Sequence, residues 1–287
     1  MAMMPKSPAD SALKGDLGQP SGPNKTRPTP ITSGTPGNTL VTRALVLLLL
    51  TTPAQAASLY EASAITTGMD LRSRPAGLAA CLAQVLAKVS GNPALLDDPR
   101  VAALGPAAPG LLAGLAYLDR MSDEPKHDEQ GTRDRPYDLI ARFEPAGIDA
   151  ALLGLGEAPW LTSRNRPSLL ADIDITPRDG PTMPLRADTD PDERHRAALL
   201  AAADRSGIPV LLQPSLGPAP IAATTLHGSL TWEETAAGWV GAWRLTWLGR
   251  EHAWRIAGVS FDEAYRNAMA GAAAALSGHA LPPATAP

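Results

Sequence analysis

Residues 137–174, YDLIARFEPAGIDAALLGLGEAPWLTSRNRPSLLADID, govern how every other segment is assigned. Tyr137, Leu139, Ala141 and Phe143 recur with the two-residue period of a half-buried strand. Pro145 then opens a helix, because its fixed φ and missing N–H suit a first turn, and Gly154 and Gly156 close it. Ser168–Ile175 resumes an extended pattern. One short span therefore holds a strand, a helix and a second strand, with turn residues between them.

Upstream, Ser58–Thr66 alternates as a strand, and Pro75–Ser90 places Leu78, Cys81, Leu82, Val85, Leu86 and Val89 at helical spacing before the stop at Gly91. Pro93–Leu104 predicts a further short helix and Gly105–Gly110 a loop. Leu115–Met121 is expected to pair with Tyr137–Phe143 across the charged loop Ser122–Pro136. With Ser168–Ile175 added, the order is compatible with a ferredoxin-like split unit.

Downstream, a helix over Asp192–Arg205, a stop at Gly207 and a short strand over Ile208–Gln213 make a βαβ unit with Ser168–Ile175. Thr225–Glu234, Trp239–Leu248 and His252–Ser260 form a meander rich in tryptophan. Phe261 starts a last helix behind a capping box of Ser260 and Glu263, with Ala264, Ala268, Ala272 and Leu276 as its packing stripe. The fold class is therefore α+β (mixed α/β), in two small sheet-and-helix units.

The expected organisation is an N-terminal extension over 1–40, a signal peptide over 41–56, a first unit over 57–160, a second over 161–279 and a flexible tail over 280–287. Residues 1–40 hold 7 Pro, 5 Gly, 4 Ser and 5 Thr and no apolar period, so they cannot offset the entropy of ordering. Arg43, the apolar run Ala44–Leu50 and the A-x-A site Ala54-Gln55-Ala56 read as a secretory signal with cleavage between Ala56 and Ala57. The run falls well short of the ~20 residues that a spanning helix needs, so no stable membrane insertion is expected after cleavage. Because such a signal normally begins a protein, residues 1–40 are either a disordered extension or untranslated, the latter if translation starts at Val41 from a GTG codon. A peptide from residues 1–40 in the source cell's proteome would contradict this start.

The whole chain carries a formal charge of −4. Removing the five basic and two acidic side chains of residues 1–56 from totals of 25 and 29 leaves 20 against 27, a charge of −7. An acidic exported chain is a poor partner for nucleic acid, whose binding is mainly phosphate neutralisation. With one cysteine the chain cannot close an internal disulfide. Leu78-Ala79-Ala80-Cys81 mimics a lipoprotein box, but it lies inside an amphipathic helix, and Cys81 reads as a core residue.

Val89-Ser90-Gly91, Arg142-Phe143-Glu144 followed by a helix and Trp160, Arg166-Pro167 opening a strand, and the tryptophan-rich meander together resemble the bacterial domain of unknown function 2066 family. The resemblance implies an exported, periplasmic protein of a Gram-negative bacterium without an assigned activity. Asp172 and Asp174 depart from it, since they interrupt a strand that is mostly apolar in that family.

Chemistry is sparse. Asp172 and Asp174 project from one face of a strand, as a ligand-binding or acid/base pair would, or as solvated aspartates meeting an arginine. Trp160 and Arg166 flank the join between the units, where a ligand could stack and be clamped; equally, Trp160 could plug the junction while Arg166 bonds loop carbonyls. Asp188, Asp190, Asp192 and Glu193 resemble a calcium loop superficially, with Pro191 near the position of the turn glycine, and read better as a helix N-terminus. The five histidines are scattered and read as surface or strand-exposed residues, and no nucleophile elbow, phosphate loop or dinucleotide fingerprint occurs. No catalytic residue, metal or cofactor is expected. The function that follows is a non-catalytic envelope interaction or assembly module with an unidentified envelope protein as partner, the alternative being a periplasmic hydrolase or small-ligand binder built on Trp160, Arg166, Asp172 and Asp174.

Overall fold

A computed structural model describes residues 59–123, 135–189 and 193–284. The elements run β1 (Glu61–Thr67), α1 (Arg74–Ser90), α2 (Pro99–Leu104), β2 (Leu112–Asp119), β3 (Pro136–Phe143), α3 (Pro145–Leu155), β4 (Leu169–Thr176), β5 (Met183–Pro184), α4 (Glu193–Ser206), β6 (Val210–Leu212), β7 (Thr224–Glu233), β8 (Gly238–Trp247), β9 (Arg250–Val259) and α5 (Phe261–Ser277). The mixed fold thus has five helices and two sheets among the described residues, with the expected antiparallel meander and C-terminal helix.

The first sheet is antiparallel with order β1-β3-β2. Its inner residues Ala62, Leu139, Ala141 and Phe143 pack against the α1 stripe and against Ile148, Leu152 and Leu155 of α3. Gly91 ends α1 in the left-handed region at φ 74°, and its N–H reaches the Ala87 carbonyl at 2.9 Å, closing the helix as its sequence predicts. Cys81 is fully buried in this core, and burial pushes its thiol up to about 12, so it is no nucleophile at neutral pH. Pro93–Asp97 and Gly105–Leu111, expected as helix and loop, are 3-10 turns. A run such as GPAAPGL has too few N–H donors and too much glycine for a full α-helix.

The second sheet has order β5-β4-β7-β8-β9, with β6 also on β4. The strand expected to complete a ferredoxin-like unit does not join the first sheet. It is β4, which pairs in parallel with β6 and β7 and antiparallel with β5. The apolar period explains this placement: Leu169, Ala171, Ile173 and Ile175 face α4 and α5, whose small residues fit closely over them. The two-residue link between β8 and β9 uses Leu248 and Gly249 at φ 49° and 76°, the turn whose twist matches a hairpin. Trp243 and Trp254, opposite each other on β8 and β9, are 2% and 7% exposed and anchor the larger core with Tyr265 of α5. Each such ring hides ~200 Å², worth at most about 5 kcal/mol. Ser260 Oγ accepts from the Glu263 N–H at 3.2 Å, while the Glu263 carboxylate pairs with Arg266. Past Gly278, His279 meets Glu157 and Leu281 packs on the larger core.

Candidate functional site

Among the described residues, helices cover one face of the six-stranded sheet and leave the other bare of helices, with Ala284 of the C-terminal segment reaching its edge. Outward residues of β4, β7, β8 and β9 stand on the bare face in register, because consecutive strands place partners directly opposite one another. Asp172 lies opposite His227, His227 opposite Arg244, and Arg244 opposite Ala253. Asp174 lies opposite Ser229, Ser229 opposite Ala242, and Ala242 opposite Arg255. Two rows therefore cross the sheet, each starting at an aspartate on β4 and reaching an arginine on β8 or β9. At the ~4.8 Å spacing of strands, acid and base are separated by roughly 10 Å in one row and 14 Å in the other.

His227 Nδ1 approaches Asp172 at 3.1 Å, and both side chains are half exposed. Arg255 also stands 3.9 Å from Glu233. The face forms a shallow depression of about 730 Å³, open to solvent and walled by charge of both signs. Such a surface can meet a partner that carries both signs in a matching order. Strand alternation puts Arg244 and Arg255 on the face away from the buried Trp243 and Trp254. Their alignment with Asp172 and Asp174 depends on the parallel β4–β7 register, which no local pattern encodes.

Trp160 and Arg166 lie elsewhere, and neither lines this depression. The Arg166 guanidinium stacks on the Trp160 ring at 4.9 Å and is 5% exposed. It donates to the carbonyls of Lys88 (2.6 Å) and Val89 at the end of α1, of Ser206 and Gly207 at the end of α4, and of Leu161. Helix ends leave carbonyls unbonded and carry partial negative charge, so one buried cation closes two of them at once. Burial lowers the Arg166 pKa to about 10, which keeps it charged at neutral pH. Gly207 makes room: at φ 65° it adopts the left-handed region, and a Cβ there would stand 2.8 Å from an Arg166 nitrogen. The structure thus brings Trp160 to Arg166 and Asp172 to Asp174, but does not bring the four into one cleft.

Asp188 bonds the N–H and hydroxyl of Ser215, and these bonds hold its carboxyl below the usual range. Asp190, Asp192, His127, Ala56 and Ala57 lie outside the described residues. His195, expected at the surface, sits among Trp239, Phe261 and Tyr265 and meets the Tyr265 hydroxyl at 3.2 Å. Its helical spacing from Leu199 and Ala202, both buried, was the available signal. Among the described residues no three His, Cys, Asp or Glu side chains cluster as a metal site.

Residues 54–161 match the model of a Domain of unknown function (DUF8605). This overturns the resemblance to the domain of unknown function 2066 family. The short motifs that carried it encode local structure found in many α+β chains: a helix stop at Gly91, a strand leading into a proline-opened helix at Arg142-Phe143-Glu144, and a strand entry at Arg166-Pro167. The match spans the first sheet with its helices and ends just beyond Trp160. No curated protein matches the chain.

Proposed function

We propose that this is an exported periplasmic protein that works without turnover, holding an envelope protein against the bare face of its six-stranded sheet. The observation that carries the reading is the pair of parallel rows from Asp172 and Asp174 to Arg244 and Arg255. Ordered charge of this kind selects a partner and its orientation more than it adds affinity. Export is supported by Arg43, the apolar run Ala44–Leu50 and the A-x-A site before Ala57. No helix among the described residues is long and apolar enough to cross a membrane.

The rows make the reading testable by charge reversal. In cells that express tagged full-length chain, chemical crosslinking should capture one partner in stoichiometric amount. Asp172→Lys with Asp174→Lys should reduce that capture at least about tenfold, in line with the several kcal/mol that like-charge juxtaposition costs at an interface. Because all four side chains are exposed, stability should change by no more than about 0.5 kcal/mol. Capture that is indifferent to the reversal would refute the proposal, as would turnover of an envelope substrate that is lost with a single side chain.

A further inference from the structure

A second cavity, of about 350 Å³, lies on the helical side of the molecule between α1, α4 and α5. That volume is at the small end of the ~300–1,000 Å³ typical of ligand pockets. Its origin is compositional. Ala87 of α1, Ala202 of α4, and Ala270 and Ala273 of α5 all line it, so three helices meet with methyl groups where larger side chains would close the gap. Leu96 and Leu281 complete an apolar wall.

Polar groups also line this cavity. Lys88, Arg205 and Arg266 are set against Asp97 and Glu263 in the wall. Lys88 donates to the Glu61 carbonyl at 2.9 Å and lies 3.9 Å from the Asp204 carboxylate, and Arg266 is paired with Glu263. No hydrogen bond or ion pair engages the Arg205 guanidinium among the described residues; the residue is exposed, and partial desolvation and the like charge of Arg266 lower its pKa against Glu263 and Asp204, which raise it.

We propose that this cavity binds a molecule with one carboxylate on an aliphatic chain, the chain lying among the alanines and the carboxylate taken by Arg205. A planar guanidinium that no protein group engages is well shaped to grip a carboxylate with two parallel bonds. The site is separate from the bare sheet face and does not depend on where the protein works.

The test is calorimetric titration of the full chain with dodecanoate below its micelle concentration, with dodecanol, acetate and vesicles of phosphatidylglycerol as comparison arms. Dodecanoate should bind once per chain, dodecanol at least about tenfold more weakly, and acetate not measurably. Arg205→Gln should weaken dodecanoate about tenfold or more while leaving dodecanol unchanged. Ala270→Leu, and independently Ala94→Leu on another part of the wall, should abolish binding of both while the thermal transition is retained. The proposal is overturned if dodecanoate does not bind, if binding survives both filled-wall variants, or if only the vesicles bind.

Discussion

Replacing Arg166 by Ala is expected to lower the unfolding free energy by about 4 kcal/mol or more, far beyond what any exposed charge of the sheet face contributes. Five backbone carbonyls from three segments converge on this guanidinium. Its loss would leave the Lys88, Ser206 and Gly207 carbonyls without this donor, while Val89 keeps the Trp160 N–H, at about 1–3 kcal/mol for each that water cannot reach. Arg166→Lys should recover only part of the loss, because one ammonium cannot serve carbonyls arranged around a planar fork. Urea denaturation checks both variants. A midpoint for Arg166→Ala within error of the wild type would show that water replaces the guanidinium at the junction.

Gly271→Ala should destabilise the chain by about 1–3 kcal/mol although it raises helix propensity by about 1 kcal/mol. Gly271 lies in α5 directly beneath the Trp254 indole, and a methyl there would run into the ring well inside van der Waals contact. The ring has no easy retreat: it is 7% exposed, and its Nε1–H donates to the Asn267 carbonyl at 3.1 Å. Trp254→Leu should cost about 2–4 kcal/mol through the lost ring and its cavity. In that background Gly271→Ala should become neutral or stabilising, since the obstructing atoms are gone. A double-mutant cycle by thermal unfolding reads the coupling. Additive effects would mean that α5 shifts to accept the methyl without strain from Trp254.

These two sites also show where the sequence was legible. The α1 stripe, the stop at Gly91, the βαβ unit around β4 and the tryptophan meander all follow from local period and capping, and the structure has them. Gly271 lay inside a predicted helix as one more small residue in an alanine-rich run. Its need for space comes from a ring on another element, which period cannot report. Arg166 differs in kind. Bonding to loop carbonyls was one of two readings of that residue, and Leu161 is such an acceptor; the other four are at the ends of two helices about 40 and 78 residues distant, and only the tertiary fold brings those together. The aspartates of β4 were placed on one face correctly by alternation, but their arginine counterparts were not found, because the order of strands in the sheet decides which side chains share a row. The split ferredoxin-like arrangement failed for the same reason: β4 pairs with β6 and β7, which lie downstream of it, and packs under α4 and α5.

Whether the bare sheet face holds a partner is read by site-specific photocrosslinking in the source cell, with the photoreactive residue at Ser229, in the middle of the row from Asp174 to Arg255, or at Leu118 on the outer side of the first sheet. One envelope protein should be captured from Ser229, none of it from Leu118, and it should be lost from Ser229 when Asp172 and Asp174 are both changed to Lys. Equal capture from the two positions, or capture from Leu118 alone, would contradict the proposed function and move the interaction away from the bare face of the larger sheet.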